Sequence, residues 1–281
     1  MKNILVTGAG GFAGKYIAEY LQKQGYNVTG TVRTKREEYK FPIIVQDLAE
    51  NIQIPNEFDV IVHAAGSLPY KQTDFRDFKK NNVDVMSQLI DFAKKKRAIK
   101  FIYLSTIGIH GEFRNEIIDE KSDIINPDYY GLTKYMAELL LRAECEIQNI
   151  SLRMPGIIGK GSQGVWLPTI VEKFLCNQDV KIYSPDFRTK NFVYIMDLAK
   201  FIEHLIEKET FEKNIVMLAC SQGATIREIV YKIKKITHSK SNIHVDNSIR
   251  KSFCIDNASA VDLGYKSMTP LEIVDEYLAT L

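Results

Sequence analysis

The sequence of 281 residues predicts an α/β fold, a doubly wound parallel sheet followed by a smaller C-terminal α/β lobe. In its first two thirds, apolar runs rich in Val, Ile and Leu alternate with segments of helical period. Such nearly continuous apolar runs are typical of parallel strands that are buried on both faces. After Arg153 the elements become shorter and the alternation changes. We therefore expect one domain over residues 1–153 and a lobe over residues 154–281 that shares elements with it.

The elements follow in a regular order along the chain. In the first domain the predicted strands are Asn3–Thr7, Asn27–Val32, Ile43–Gln46, Val60–Ala64, Lys100–Ser105 and Ile150–Arg153. The helices predicted between them are Gly14–Gln24, Asp74–Lys96 and Asp128–Cys145. In the lobe we expect strands at Val180–Tyr183, Lys190–Val193 and Ile215–Leu218, with helices at Trp166–Cys176, Ile195–Glu207, Thr225–Thr237 and Leu271–Leu281. A sheet of this kind binds its ligands at the carboxyl ends of its strands.

Composition argues against several classes of partner. A net charge of +2, with 45% hydrophobic and 26% charged residues, is ordinary for a globular protein and gives no reason to expect nucleic acid or an anionic membrane. The four cysteines are scattered, with no pair at metal-ligand spacing, so no metal site is expected. No apolar run is long enough to span a membrane, and no signal peptide precedes the first strand. These features predict a reduced, soluble, cytoplasmic protein.

A glycine-rich turn joins the first predicted strand to the first helix. Gly8, Gly11 and Gly14 follow the apolar run Ile4–Val6. Glycines in such a turn let backbone N–H groups approach a pyrophosphate, which the positive end of the helix dipole then stabilises. By itself the turn is only weak evidence for a dinucleotide site.

A tyrosine and a lysine four residues apart strengthen that evidence. Tyr130 and Lys134 project from one face of a predicted helix. A free phenol has a pKa of about 10, and a nearby ammonium lowers that pKa, so the phenol can exchange a proton with a substrate carbonyl or hydroxyl. Upstream, a buried strand ends in Ser105 and Thr106, and a hydroxyl there can bind the same substrate oxygen. An amphipathic helix and a strand-terminal turn without chemistry are the alternatives, but the combination favours a redox enzyme.

The chain resembles an extended short-chain dehydrogenase/reductase of the NAD-dependent epimerase/dehydratase family. The matching motifs occur in family order over roughly residues 2 to 210. They are Gly8-x-x-Gly11-x-x-Gly14, Val62-His63-Ala64-Ala65-Gly66, Ser105-Thr106 with Ile109-His110-Gly111, Tyr130-x-x-x-Lys134, Leu152-Arg153-x-Pro155 with Gly159, and Asn191–Ala199. The resemblance implies a Rossmann sheet that binds NAD or NADP, and a substrate that is a nucleotide sugar.

The resemblance also implies a role for each site residue. Thr106 takes the place of the catalytic Ser/Thr, Tyr130 that of the acid/base, and Lys134 that of its activating partner, which also contacts the nicotinamide ribose. Asn82 resembles a family position that supports the sheet near the active site. Substrate-binding residues would be Thr106, Tyr130 and Arg188. Cofactor-binding residues would be Gly8, Gly11, Phe12, Ala13, Gly14, Arg33, Asp47, Leu48, Ala64, Ala65, Gly66, Ser105, Tyr130, Lys134, Pro155 and Ile157.

Three departures from the family pattern narrow the reaction. Dehydratases of the family carry an Asp-Glu pair directly after the catalytic threonine, whereas this chain has Ile107-Gly108, so dehydration is not expected. His110 stands where many members have tyrosine, and we expect it to pack or to contact solvent rather than to catalyse. Many sugar-nucleotide epimerases have an asparagine near Gly156 that contacts substrate, and this chain lacks it.

The residues after the second strand bear on cofactor choice. NAD enzymes usually place an acid at the end of this strand, on the ribose 2′-OH. Here Val32 occupies that position and Arg33 follows, as in the NADPH-dependent dihydroflavonol-reductase branch of the superfamily. An arginine suits the 2′-phosphate of NADP. NADP is therefore favoured, although NAD is possible and the basic residues are also compatible with a solvated strand end.

Three functions follow from these observations. The first is NADPH-dependent reduction of a nucleotide-linked 4-keto-6-deoxy sugar, with Arg188 or Lys190 on the diphosphate and Tyr70 and Lys71 in one wall of the pocket. The second is a nucleotide-sugar epimerase that holds NAD tightly. The third, a non-catalytic dinucleotide-binding regulator, is disfavoured by the Tyr–Lys pair. Relatives dimerise through the helix that carries this pair, so a homodimer is possible.

Overall fold

The computed structural model describes residues 1–35, 39–69, 74–246, 248 and 252–281. Most predicted strands occur in it within one or two residues of the predicted bounds. In chain order the strands are β1 Asn3–Thr7, β2 Asn27–Val32, β3 Ile43–Val45, β4 Val60–His63, β5 Lys100–Thr106, β6 Ile117–Ile118, β7 Gln148–Met154, β8 Gly156–Ile158, β9 Val180–Tyr183, β10 Arg188–Thr189, β11 Phe192–Tyr194, β12 Ile215–Met217, β13 Ala224–Thr225, β14 Ile243–Asp246 and β15 Cys254–Ile255.

The helices also follow the predicted order, with one interruption. The segment predicted as a single helix, Asp74–Lys96, consists of two α-helices separated by a π-helical segment, Lys79–Asp84. A 3-10 turn, Ile107–His110, follows β5. The α-helices are α1 Phe12–Lys23, α2 Phe75–Phe78, α3 Val85–Lys95, α4 Tyr129–Ala143, α5 Trp166–Leu175, α6 Ile195–Glu207, α7 Ile226–Ile236, α8 Ala258–Asp262 and α9 Pro270–Ala279.

Seven of the strands form one sheet in the order β12-β7-β5-β4-β1-β2-β3. The pairs β1–β2, β1–β4, β2–β3 and β4–β5 are all parallel. The chain therefore builds outwards in one direction from β1 to β3 and in the other from β4. Ligands bind at this reversal point, outside the carboxyl ends of β1 and β4. The predicted doubly wound α/β fold is confirmed.

The sheet is stable because its strands are covered by apolar side chains. β1 and β4 are buried almost throughout, as their uninterrupted Ile and Val runs predict. On one face, strand residues pack with residues of α3 and α4, and each such side chain contributes roughly 1.5–3 kcal/mol on burial. This core cluster includes Leu5, Ile61, Phe101, Tyr103, Met86, Leu89, Ala93, Ala137 and Leu141.

The chain divides into two compact units. The first consists of Met1–Glu112, Asp123–Arg153 and Leu198–Val216, so most of α6 belongs with the sheet. The reason lies at the end of that helix, where the Lys2 and Lys100 ammonium groups donate to the Ile206 carbonyl at 2.8 and 2.9 Å. Cations at a helix C-terminus satisfy its last carbonyls and its dipole. This division differs from a single boundary after Arg153.

The second unit consists of Phe113–Ser122, Met154–Asp197 and Met217–Leu281. It contains the two-stranded sheets β10–β13, β11–β8, β14–β9 and β15–β6. Several of these strands were missed in the sequence because two or three residues show no periodicity. Its helices α7 and α9 begin at capping boxes, in which Thr225 pairs with Glu228 and Thr269 with Glu272.

No helix in the described part of the chain is both long enough and apolar enough to cross a bilayer.

On α4, Leu139 and Leu140 are 37% and 39% exposed. The homodimer through this helix stays a prediction.

Candidate active site

The turn after β1 is shaped by close backbone contacts. Gly8 has φ +69°, and a Cβ there would lie 2.7 Å from the Ala65 Cα. A Cβ on Gly14 would lie 2.8 Å from the Gly8 carbonyl carbon. The Gly11 N–H donates to the Gly8 carbonyl at 2.9 Å and closes the turn. Only glycine fits at positions 8 and 14, and the result is a backbone cradle at the reversal point of the sheet, with Gly10 and Gly11 exposed.

The same turn opens α1 without a side-chain cap. Gly11 is the N-cap residue and makes no side-chain hydrogen bond, and the first turn carries no acidic residue. The N–H groups of Phe12, Ala13 and Gly14 lie at this helix start, where donors have no intrahelical partner. An anionic pyrophosphate would satisfy them and would interact favourably with the helix dipole. The residues present therefore fit the dinucleotide that the sequence predicts.

The ends of β2 and β3 carry different side chains at the predicted cofactor site. At the end of β2, Val32 is buried and Arg33 is exposed, so no carboxylate stands at the position where NAD enzymes usually have one. After β3, the Asp47 carboxylate accepts a hydrogen bond from the Ala49 N–H at 3.0 Å, and Leu48 is buried. Asp47 thus stabilises its own turn, whereas Arg33 is exposed at the end of β2, the strand that pairs with β1.

The end of β4 is tied to β1. The Ala64 N–H donates to the Thr7 carbonyl at 3.3 Å, and the residues that follow are Ala65 and Gly66. The His63 Nδ1 lies 2.7 Å from the Thr7 Oγ1, and its ring stacks on Tyr103 at 5.3 Å. Burial, and secondarily the charge of Lys134, lower the pKa of His63 to about 3, so its imidazole is neutral.

Asn82, on the π-helical segment, connects the end of β4 to α4. Its Oδ1 accepts from the Ser67 N–H at 2.9 Å, and its Nδ2 donates to the Thr133 Oγ1 at 3.0 Å. The Thr133 hydroxyl in turn donates to the Tyr129 carbonyl at 2.8 Å. Asn82 therefore fixes the first turn of α4 against the strand end, which is a structural role.

Thr106 and Tyr130 are brought together by two glycines. Thr106 ends β5, and its Oγ1 accepts from the Gly108 N–H at 3.1 Å, which leaves its own O–H for another partner. The Asp128 carboxylate caps α4 by accepting from the Gly131 N–H at 2.7 Å. A Cβ on Gly131 would lie 2.8 Å from the Gly108 carbonyl carbon, so the start of α4 rests directly on the turn after Thr106.

Lys134 is buried one turn further along α4. Its Nζ donates to the Leu104 carbonyl at 2.6 Å and lies 4.0 Å from the centre of the Tyr103 ring. Burial lowers the pKa of Lys134 to about 7, against an opposite effect of Glu138. A cation over an aromatic face is stabilised without any charged partner. Tyr103 therefore supports the buried Lys134 ammonium, and its only signal in the sequence is an aromatic side chain in a buried strand.

Two buried polar atoms at the ends of β4 and β5 have no hydrogen-bond partner among the described residues. They are the His63 Nε2 and the Ser105 Oγ. An unsatisfied buried polar group costs about 1–3 kcal/mol, so such atoms are usually satisfied by a ligand or by water. Ser105 lies between Leu104 and Thr106, both of which take part in the site. The orphan hydroxyl is a second observation that fits a ligand at these strand ends.

The Gly131–Gly108 contact predicts the effect of a single methyl group. We expect Gly131→Ala to lower kcat at least tenfold and to destabilise the protein by about 1–3 kcal/mol, because neither backbone can yield without moving α4 away from Thr106. Urea unfolding and steady-state kinetics measure the two effects. In Gly223→Ala the added Cβ would make only ordinary contacts at 3.5 Å, so that variant serves as the stability control. A Gly131→Ala enzyme with wild-type kcat would show that this contact does not position Tyr130.

The remaining predicted site residues lie in the second unit. Pro155 and Ile157 flank Gly156 at β8, and all three are half-buried. The Arg188 side chain is 63% exposed, with its Nη1 3.7 Å from the Glu228 carboxylate. The Lys190 Nζ donates to the Asn257 Oδ1 at 2.9 Å. The predicted wall residues Tyr70 and Lys71 lie outside the described residues.

Metal binding has no support from the described part of the chain, where no group of three or more His, Cys, Asp and Glu side chains is placed to hold an ion. The chemistry available here is that of one phenol, one ammonium and two hydroxyls. Tyr130 and Lys134 come from one helix, whereas Ser105 and Thr106 come from the strand beneath it. All four lie at the carboxyl end of the sheet, in the unit that carries the glycine cradle.

The chain is similar to known enzymes over most of its length. It is 24% identical to the UDP-glucose 4-epimerase of Caenorhabditis elegans, covering 96% of this chain and 94% of that protein. It is 22% identical to the dTDP-4-dehydro-6-deoxy-D-allose reductase of a Streptomyces species, covering 88% and 85%. Among solved structures, the UDP-glucuronic acid 4-epimerase of Bacillus cereus in complex with NAD superposes with a TM-score of 0.81 at 22% identity, covering 99% of each chain.

A family model settles the class of the protein. The model of the NAD dependent epimerase/dehydratase family matches residues 4–219, from β1 through β12. The matched range contains the glycine cradle, Thr106, and the Tyr130–Lys134 helix. The chain is therefore an enzyme of the extended short-chain dehydrogenase/reductase type, and it belongs to the NAD-dependent epimerase/dehydratase family.

Proposed function

We propose that this enzyme reduces a nucleotide-linked 4-keto-6-deoxy sugar with NADPH. The observation that carries the proposal is the site itself, in which Thr106 and the Tyr130–Lys134 helix meet beside the glycine cradle. The turn after Thr106 has no carboxylate, since Ile107 and Gly108 stand where a dehydratase has its acid and base. The exposed Arg33, with Val32 in the acid position, favours NADPH as a substrate that is consumed.

When bound, NADPH supplies a hydride to the keto carbon of the sugar. Tyr130 donates its phenolic proton to the ketone oxygen, so the carbonyl becomes a 4-hydroxyl. The Thr106 O–H, which is not used in its bond with the Gly108 N–H, donates to the same oxygen and orients it. The Lys134 ammonium uses one N–H on the Leu104 carbonyl and has two more for the cofactor ribose and for stabilising the phenolate.

Cofactor and substrate binding are assigned to residues other than Thr106, Tyr130 and Lys134. The Arg33 guanidinium binds the 2′-phosphate of NADP, because its donors match phosphate oxygens in pairs. Pro155 and Ile157 border the nicotinamide, and Arg188 binds the diphosphate of the sugar nucleotide. The relative from a Streptomyces species is a reductase of a dTDP-linked 4-dehydro-6-deoxy sugar, which supports this substrate class.

The second candidate is a nucleotide-sugar epimerase. The Bacillus cereus and Caenorhabditis elegans relatives are 4-epimerases, and the first was solved with NAD. An epimerase would use Thr106, Tyr130 and Lys134 to oxidise a sugar hydroxyl and to return the hydride to the opposite face. It would therefore retain its NAD and show no net oxidation.

Purified enzyme is assayed with dTDP-4-keto-6-deoxyglucose and either NADPH or NADH. We expect oxidation of NADPH matched by formation of the 4-hydroxy sugar. In Arg33→Ser the KM for NADPH should rise about 10- to 100-fold, while the KM for NADH stays unchanged, because the lost contact is a charge-assisted hydrogen bond to the 2′-phosphate. Stoichiometric NAD released on denaturation, with isomerisation of a nucleotide sugar and no net oxidation, would establish the epimerase instead.

A further inference from the structure

A buried polar network lies behind the catalytic elements. The Glu138 carboxylate accepts from the Arg153 Nη2 at 2.7 Å and from the Arg153 Nε at 3.1 Å. The Arg153 Nη1 lies 3.2 Å from the His110 Nε2, and the His110 Nδ1 lies 3.1 Å from the Asp123 carbonyl. Glu138, Arg153 and His110 are each at most 2% exposed. The network is therefore shielded from water.

The partners of His110 determine its protonation. A guanidinium only donates hydrogen bonds, so the His110 Nε2 must carry a lone pair and accept from Arg153. The Asp123 carbonyl only accepts, so the proton lies on the His110 Nδ1. His110 is consequently the neutral Nδ1–H tautomer, and both ring nitrogens are used. An imidazolium would put a second positive charge against Arg153 and would lose the acceptor.

The network joins the two elements that carry the reacting groups. His110 ends the 3-10 turn for which Thr106 is the N-cap residue. Glu138 lies on α4, one turn beyond Lys134 and two turns beyond Tyr130. Arg153, on β7, binds both at once. The contact of Gly108 with Gly131 holds the opposite end of the same turn against α4, so the turn is fixed to the helix at two points.

We infer that His110 is a positioning residue: as a neutral hydrogen-bond acceptor from Arg153, it sets the position of Thr106 relative to Tyr130. The inference rests on the proposed function only for the reaction in which it is measured. An ion pair this deeply buried contributes little net stability, because desolvation offsets its attraction. Its value lies in geometry, since an error of about 1 Å between reacting groups costs roughly 100-fold in rate.

Two variants separate positioning from packing. His110→Phe keeps a ring but removes the nitrogen that faces the Arg153 Nη1, whereas His110→Gln restores an acceptor at similar reach. We expect His110→Phe to lower kcat about 10- to 100-fold with KM for NADPH within about twofold, and to raise the primary isotope effect with deuterated NADPH. His110→Gln should recover kcat to within about threefold of wild type. If His110→Phe only lowers the melting temperature, with kcat and isotope effect unchanged, His110 is a packing residue.

An activity-independent readout tests the tautomer. With ¹⁵N-labelled histidine in the full-length, cofactor-free protein, we expect a neutral Nδ1–H imidazole signal that disappears in His110→Gln and is thereby assigned to His110. An Nε2–H or doubly protonated signal for His110 would overturn the inference. If the wild type isomerises a nucleotide sugar instead of reducing a ketone, the same two variants are compared in that reaction. Absence of both activities would count against the proposed function. The histidine signal would still show whether His110 is the neutral Nδ1–H tautomer that accepts from Arg153.

Discussion

Replacing Tyr130 by phenylalanine is expected to lower kcat by about 10³-fold and to leave dinucleotide affinity within about threefold of wild type. General acid catalysis by a positioned side chain contributes typically 10²–10⁴-fold, and phenylalanine has no proton to give. The ring should stay in place, because it packs 6.1 Å from the Phe78 ring and sits at the capped start of α4. Single-turnover kinetics measure the chemical step, and cofactor fluorescence titration measures binding.

The neighbouring tyrosine offers a matched control for this prediction. Tyr129 is 55% exposed, and its ring lies 5.3 Å from the Phe75 ring. Tyr129→Phe removes an equivalent phenolic hydroxyl one residue earlier on the helix, and this variant should keep at least half of the wild-type kcat. Wild-type turnover in Tyr130→Phe would show that the acid is another group, and the proposed mechanism would be wrong.

Local patterns in the sequence were sufficient to predict the sheet and the helix that carries Tyr130 and Lys134. β1, β4 and β5 are continuous apolar runs, and the glycine turn, Thr106 and Tyr130 each lie at an element boundary that the sequence marks. The reversal point between β1 and β4 then brings these boundaries to one edge, because parallel strands share their carboxyl ends. This part of the site follows from short-range signals combined with a known topology.

The contacts that set the geometry leave no such signal. The Lys134 ammonium lies over the ring of Tyr103, which comes thirty-one residues earlier in the chain. The Gly131 backbone packs directly against the Gly108 backbone. His110 was expected to pack or to contact solvent, and its full burial with both nitrogens bonded depends on Arg153, which arrives on another strand. Pairings between distant residues depend on the packed structure, so neither periodicity nor spacing in one sequence predicts them.

Lys134 connects the chemistry of the site to the stability of the protein. Lys134→Met is expected to lower kcat/KM about 10²-fold, because the flexible methionine side chain can still pack on Tyr103 but supplies no positive charge to the phenolate and no donor to the cofactor ribose. The same variant should change how stability depends on pH. Both effects come from one ammonium group, which is buried at the Leu104 carbonyl.

The sign of the pH effect follows from the lowered pKa of Lys134, about 7 in the folded protein, where burial is the main cause. Between pH 7 and about 10 the unfolded chain binds more protons at this lysine than the folded chain does, so the free energy of unfolding rises with pH. Relative to Lys134→Met, wild type should therefore gain stability with increasing pH, by up to about 1.4 kcal/mol per unit. Urea unfolding of cofactor-free protein at pH 7, 8 and 9 measures this gain.

Lys95→Met, at an exposed lysine near the end of α3, is the control, and its free energy of unfolding should change with pH in parallel with that of wild type. If Lys134→Met also runs parallel to wild type, the pKa of Lys134 is not lowered in the folded protein, and its ammonium group is not desolvated beside the Leu104 carbonyl as the structure indicates.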